Sequence, residues 1–262
     1  MAANIHPLAF VDHSARLGAD VQIGPFAFVG PGVSIGDRTR LHHHASVEGD
    51  TVLGPDCEVF PHACIGAKTQ DLKFREGDKT GVRIGARNVF REYVTVHAGT
   101  PAGSNTVIGD GNVLLAYSHV AHDCVLGNGI VMSNAVALAG HIVVEDFATI
   151  GGLTGAHQFV RIGAYAMVGG MSAVTKDVPP FCIASGNYAV VRSINKIGLE
   201  RHGFTPAQIE RVKHIHRVLF REGLNITQAA ERLRSEPGAE TPETARMLAF
   251  IAASERGIMG AA

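Results

Sequence analysis

The stretch LGADVQIGPFAFVGPGVSIG, residues 17–36, carries an aliphatic residue at every sixth position: Leu17, Ile23, Val29 and Ile35. That spacing decides the fold. In an α-helix, positions six apart point in different directions, so the pattern cannot line one helical face. In a strand, even spacing keeps side chains on one face. Each six-residue unit is therefore one short strand and a turn. The glycine after the aliphatic residue, as in Ile23-Gly24 and Ile35-Gly36, is expected to supply the backbone freedom of the turn.

The beat reaches back to Ile5 and Val11 and forward through Leu41, Val47, Leu53 and Val59 to Ile65. It resumes in a new phase at Ile84, Phe90 and Val96, skips Ala102, and runs from Ile108 to Val174. Three units close a triangular coil of 18 residues, and stacked coils hydrogen-bond to one another. The expected fold is mainly β: a left-handed parallel β-helix of hexapeptide repeats, its interior filled by the repeating aliphatics. Two interruptions stand out. Residues 67–83 carry a cluster of charges and shift the phase by one, whereas residues 98–106 break the beat without shifting it. Loops inserted in a solenoid map to one flank and tend to carry function.

After Pro179-Pro180 the beat ends and helix signals begin. Thr205-Pro206-Ala207-Gln208 reads as an N-cap, a first-turn proline and a capping box. Ile209, Val212, Ile215, Val218 and Leu219 follow at helical spacing, with Gly223 as the stop. Thr241-Pro242-Glu243 opens a second helix with Met247, Leu248, Ile251 and Ala252 on one face. The chain thus divides into a β-helix over 1–190 and a small α-helical C-terminal domain over 191–262.

The composition excludes several function classes. Of the 262 residues, 18% are charged and 46% hydrophobic, enough to bury a core. A net charge of −1 gives no basic footprint for nucleic acid and no polybasic membrane patch. No signal peptide and no membrane-spanning apolar run are expected. Cys57, Cys64, Cys124 and Cys182 have no metal-site spacing and read as buried thiols in a reducing, cytoplasmic compartment.

In SHVAHDC, residues 118–124, two histidines and an aspartate interrupt the monotony. Val120 points inward, so its neighbours lean out of the wall. His119, His122 and Asp123 supply a potential base and a carboxylate to orient it. His141 and His157 fall about one lap later each and should stack near the same edge. A flat prism has no deep pocket, so a cleft needs the inserted loops or a second subunit. By contrast, His42-His43-His44 has no carboxylate beside it and no echo one coil on, and reads as surface or subunit contact. Asn134 and Gln158 suit either rung formation or binding.

The solenoid, the H-V-A-H-D-C segment, the later A-L-A-G-H and G-A-H-Q-F segments, the loop Q-D-L-K-F and the tail G-L-E-R-H-G-F together resemble the UDP-N-acetylglucosamine 3-O-acyltransferases of lipid A biosynthesis. The resemblance runs over nearly the whole chain. It implies a homotrimer with sites between subunits, moving an R-3-hydroxyacyl group from acyl carrier protein to the sugar 3-hydroxyl. It requires no cofactor; the phosphopantetheine arm arrives with the donor. His122 matches the general base, Asp123 its orienting partner and the Gly140 main-chain N–H the oxyanion donor. Adjacent strand residues face opposite ways, so the His122–Asp123 pairing needs bent backbone.

The resemblance further places His119, His141, His157 and Gln158, with Asn134, around the sugar, and Gln70, Asp71 and Lys73 on the loop that meets the nucleotide sugar and the acyl 3-hydroxyl. Asn195 and Arg201 match tail residues near the nucleotide. Ile197 and His202 stand where relatives carry a glutamate and an arginine. Gly170 matches the acyl-chain ruler, with Tyr188 near the same groove end; a glycine there leaves room for about fourteen carbons. Tyr117 and Ser118 bear on whether the acceptor carries a hydroxyl or an amino group.

Two rivals share the solenoid. The pathway's N-acyltransferase has an extra N-terminal domain, for which a beat starting at Ile5 leaves no room. A γ-type carbonic anhydrase would bind zinc through histidines such as His119, His122 and His141, with one position open for water.

Overall fold

The six-residue beat folds as two-residue strands, such as Gln22–Ile23, Phe28–Val29 and Ser34–Ile35, joined by tight turns. The structure, a computed structural model, describes residues 2–261; Met1 and Ala262, the outer limits of the two expected domains, lie outside them. Every third strand pairs in parallel with the one a coil away, producing three sheets of 11, 9 and 8 strands, here the first, second and third faces. Ile5, Ile23, Leu41, Val59, Phe90, Leu114, Met132, Ile150 and Val168 form one continuous column of register partners on the first face. The second residue of each strand points inward and the first outward, so most repeat positions from Ile23 onward are buried in one long core. The chain is a left-handed parallel β-helix.

The turns correct one expectation. The left-handed residue of each turn is usually not the glycine but a side-chain-bearing residue further on, as at Phe26, Arg38, Asp123 and His141. The glycines after the repeat aliphatic serve close stacking instead. A Cβ on Gly36 would sit 2.5 Å from Pro55 N, and one on Gly163 would sit 2.4 Å from Pro180 N. There is no room for a methyl between coils.

The two insertions are shorter than expected. Strands Cys64–Ala67 and Gly81–Ile84 flank the first, leaving 68–80. Strands Thr95–His97 and Asn105–Ile108 flank the second, leaving 98–104. Both loops connect the second face to the third, so both emerge at the same corner of the prism.

Helix does not begin directly after Pro179-Pro180. Strands Cys182–Gly186 and Ala189–Ile194 form an antiparallel hairpin that extends the first face past residue 190. Helices α1 (Lys196–Arg201), α2 (Pro206–Phe220), α3 (Ile226–Ser235) and α4 (Pro242–Ala252) follow. The capping box at Thr205–Gln208 forms as expected, and α2 buries Ile209, Val212, Ile215, Val218 and Leu219. On α4 the buried positions are Glu243, Thr244, Met247 and Phe250, while Ala252 is exposed. Sequence reading missed α1, which is too short to show a period, and α3, whose cap is a second capping box from Asn225 to Gln228. The chain end returns to the solenoid, where Met259 is buried in the long core.

Candidate active site

Strand His119–Val120 lies on the second face, with Val120 inside and His119 outside. The backbone then turns the corner through His122 and Asp123. Asp123 has a φ of +60°, and this left-handed bend brings two adjacent side chains together, which a strand could not do. His122 Nδ1 and Asp123 Oδ2 are 2.8 Å apart. The Asp123 N–H donates to Thr106 Oγ1 at 2.9 Å, and the Thr100 N–H donates to Asp123 Oδ2 at 3.1 Å.

Burial acts to raise the Asp123 carboxyl, but the nearby Ser104 hydroxyl, His122 and the Thr100 N–H outweigh it and hold it below its ordinary value. Of these, His122 and Thr100 meet hydrogen-bond geometry, whereas Ser104 Oγ does not. The ionised carboxylate can only accept. His122 Nδ1 therefore donates in this bond, and in the neutral ring Nε2 keeps its lone pair.

Gly140 occupies the same corner position as His122, one coil on. A Cβ there would lie 2.3–2.4 Å from the imidazole Cε1 and Nε2, so only glycine admits the ring. No hydrogen bond among the described residues engages the Gly140 N–H. An imidazole ring and an unengaged main-chain donor thus stand side by side. His141 packs edge-on against His122 with centroids 5.1 Å apart and stacks on Phe159; its Nε2 is 3.8 Å from Asp123 Oδ2.

The first inserted loop covers this corner. Asp71 Oδ2 lies 3.7 Å from His122 Nε2, opposite the Asp123 side of the ring. Between loop and wall runs a groove of about 850 Å³ that Gln70, Lys73, His119, His122, His157 and Gln158 share with a floor of Ala137, Gly155 and Ala173. A second cavity of about 430 Å³ lies between Asp71, Lys73, Thr100 and His141. His119 Nδ1 is 2.7 Å from Thr95 Oγ1; burial first, then His97 and His122, lower its pKa to about 4. It stays neutral at ordinary pH.

The remaining residues singled out from sequence are distributed over other corners. Asn134 and Gly170 sit in turns joining the first face to the second, and Tyr188, 73% exposed, at the tip of the terminal hairpin. Asn195 is engaged within its own chain: its Oδ1 caps α1 by accepting from Gly198 N–H, and its Nδ2 donates to Tyr165 O. Arg201 is exposed in the last turn of α1. His202 packs 4.8 Å from Phe147 and 5.3 Å from Tyr165, so it helps hold α1 on the solenoid. Ser118 is buried and donates to Leu115 O, and Tyr117 lies at the corner away from His122. Neither flanks His122 as adjacency in sequence implied.

Two further expectations change. His42 has a carboxylate after all, Glu58, at 2.8 Å, and His44 has its echo in His62, whose ring is 5.0 Å away one coil on. The cross-coil partners are sixteen and eighteen residues off and invisible locally. Nor do the three histidines of the zinc reading gather. The close-set potential ligands are His122, Asp123 and His141, while His119 faces Thr95. Sequence reading missed Thr69 and Thr100 in the loops and Thr95 and Thr106 in strands, because a lone threonine carries no functional signal of its own.

Comparison with known proteins decides the family. Residues 177–259 match the family model described as UDP-N-acetylglucosamine O-acyltransferase, domain 2, and residues 14–49 the bacterial transferase hexapeptide model. An acyl-[acyl-carrier-protein]–UDP-N-acetylglucosamine O-acyltransferase of Thermodesulfovibrio yellowstonii is 47% identical over 97% of this chain and 98% of its own. That of Verminephrobacter eiseniae is 45% identical over 98% and 99%. The chain belongs to the UDP-N-acetylglucosamine O-acyltransferase family. Two solved members of this acyltransferase family share the architecture along the whole chain. The Francisella novicida enzyme superposes with a TM-score of 0.94 at 36% identity, covering 98% of this chain and 94% of that one. The Bacteroides fragilis enzyme gives 0.94 at 38%, covering 97% and 99%.

Proposed function

We propose that the chain transfers an R-3-hydroxyacyl group from acyl carrier protein to the 3-hydroxyl of UDP-N-acetylglucosamine, the first step of lipid A synthesis, in the cytoplasm. One observation carries the reading: His122 Nε2, its lone pair freed by the Asp123 bond at Nδ1, faces the groove beside the unengaged Gly140 N–H.

In the first step His122 Nε2 takes the proton of the sugar 3-hydroxyl while that oxygen attacks the thioester carbonyl carbon. The carbonyl oxygen becomes an oxyanion and accepts from the Gly140 N–H, a donor typically worth about 3–4 kcal/mol of barrier. The imidazolium lies between the Asp123 and Asp71 carboxylates. Collapse breaks the carbon–sulfur bond, and the proton on Nε2 passes to the departing thiolate. Ester and free phosphopantetheine thiol result, with no bound cofactor consumed. Gln70, Lys73, His119, His157 and Gln158 would hold the acceptor along the groove. Gly170, brought to the groove end by a neighbouring copy, leaves space for an acyl chain of about fourteen carbons.

A homotrimer is the assembly we propose. Asn134, Gly170, Arg201 and Tyr188 lie at corners that one prism cannot turn toward His122. Exposed apolar side chains run down the chain: Phe26, Tyr93, Tyr117 and Met171 at one corner, and Leu72 fully exposed at the groove. A neighbouring copy covers these and brings the distant corners to the groove.

Acyl transfer from 3-hydroxyacyl carrier protein to UDP-N-acetylglucosamine tests the reading, with wild type beside His122→Ala. The variant should fall about 10²–10⁴-fold. Equal rates would remove His122 as the base, and an inactive wild type would remove the acceptor. Offered 3-hydroxytetradecanoyl and 3-hydroxydecanoyl donors, the wild type should favour the longer; preference for ten carbons would sink the room assigned to Gly170.

A further inference from the structure

The two carboxylates flanking His122 come from different segments: Asp123 from the solenoid wall, Asp71 from the inserted loop. A chain of hydrogen bonds joins them. The Thr100 N–H, from the second loop, donates to Asp123 Oδ2 at 3.1 Å. The Thr100 hydroxyl lies 2.8 Å from the Thr69 hydroxyl, in the first loop. Thr69 Oγ1 in turn accepts from the Asp71 N–H at 3.1 Å, and Asp71 Oδ1 accepts from the Lys73 N–H at 3.0 Å. Both threonines are buried, at 7% and 4% exposure, although each stands in a loop on the surface of the prism. The loops also meet at their far ends, where the Gly103 N–H donates to Lys79 O at 2.8 Å.

We infer that Thr69 and Thr100 are positioning residues: their buried hydroxyl pair clamps one inserted loop to the other and sets Asp71 against Nε2 of the ring that Asp123 holds at Nδ1. A hydroxyl pair suits this task because each group donates and accepts at once. Thr69 Oγ1 accepts from the Asp71 N–H and is free to donate to Thr100 Oγ1. Both loops leave the prism at one corner, and without a tie their separate motions would blur the distance between Asp71 and His122. Burial makes the tie strong, since a valine in either place leaves the other hydroxyl without its partner. The inference rests on His122 as the base and on Asp71 meeting the acceptor.

The test uses Thr69→Val, Thr100→Val, the double variant and the Thr→Ser counterparts, in full-length protein. Each single valine should lower kcat/KM for the nucleotide sugar by about ten-fold, equal to about 1.4 kcal/mol. The double variant should lose no more than Thr69→Val alone, because both singles remove the same hydroxyl–hydroxyl bond and Thr69→Val already removes the acceptor of the Asp71 N–H. The serine variants should restore activity. Additive losses, or valine variants as active as wild type, would overturn the clamp. Amide hydrogen exchange provides a readout independent of the reaction. Thr100→Val should speed exchange at Asp71 and Lys73, which lie in the other loop; unchanged exchange there would overturn the clamp even if the acceptor were a different sugar.

Discussion

At the scale of the residue, the site depends on two departures from strand geometry. Asp123 takes a left-handed φ so that consecutive side chains converge, and Gly140 gives up its side chain to the ring of His122. His122 and Asp123 were legible in the sequence, because titratable groups stand out against an aliphatic beat. Gly140 could have been found on position alone, eighteen residues after His122, once the coil length was known. Asp71 could not be placed by counting, since its loop leaves the repeat. His119 makes a prediction of its own. Folded, it protonates at about 4; unfolded, near the ordinary histidine value of 6.5. Between those values the unfolded chain binds more protons, so stability falls as pH drops through that window. The gap converts to about 3 kcal/mol. Thermal unfolding of wild type and His119→Gln at pH 7 and pH 4.5 should show a smaller loss on acidification in the variant. Equal losses would assign the acid sensitivity elsewhere.

At the scale of the element, each turn of the solenoid tests two kinds of glycine. Gly36 faces the backbone of the next coil, with Pro55 N at 2.5 Å from a built Cβ, whereas a Cβ on Gly155 meets nothing within 4 Å. Gly36→Ala should cost about 1–3 kcal/mol through overpacking and lower Tm by several degrees. Gly155→Ala should leave Tm in place while placing a methyl in the groove floor, which calorimetry beside acyl-chain selectivity would register. A Gly36→Ala protein as stable as wild type would mean that the coils can part. The inward positions of the strands were predictable, because a period of six permits few registers. The terminal hairpin was not, since Cys182–Gly186 and Ala189–Ile194 lie beyond the beat and gain their partners from the sheet edge. The short α1 is likewise a product of context, capped by Asn195 and anchored by Leu199, which is buried in the same cluster as Phe181.

At the scale of the whole molecule, the candidate residues lie on three corners of one prism. His122 is at the corner between the second and third faces, Gly170 at that between the first and second, and Asn195 is bonded to Tyr165 at the remaining one. If a ligand meets more than one of these, the others come from neighbouring copies. His122→Ala and Arg201→Ala chains, each inactive as a homo-oligomer, should therefore regain transfer when co-assembled, because some sites then hold both native side chains. Light scattering should give three chains per particle. Mixed assemblies that stay inactive would place the whole site within one chain.

By itself the sequence determined the repeat, the coil of eighteen residues, the direction of every inward side chain, the capped start of α2 and the identity of the histidine–aspartate pair. These are local or periodic properties, governed by steric rules that act within a few residues or recur at fixed spacing. Only the tertiary structure decided that both insertions leave at one corner, that Asp71 returns to His122, that Thr69 meets Thr100, and that His44 stacks on His62. Each of those contacts joins residues from different coils or loops. Their free energy exists only once the coils stack, and no short window of sequence contains both partners.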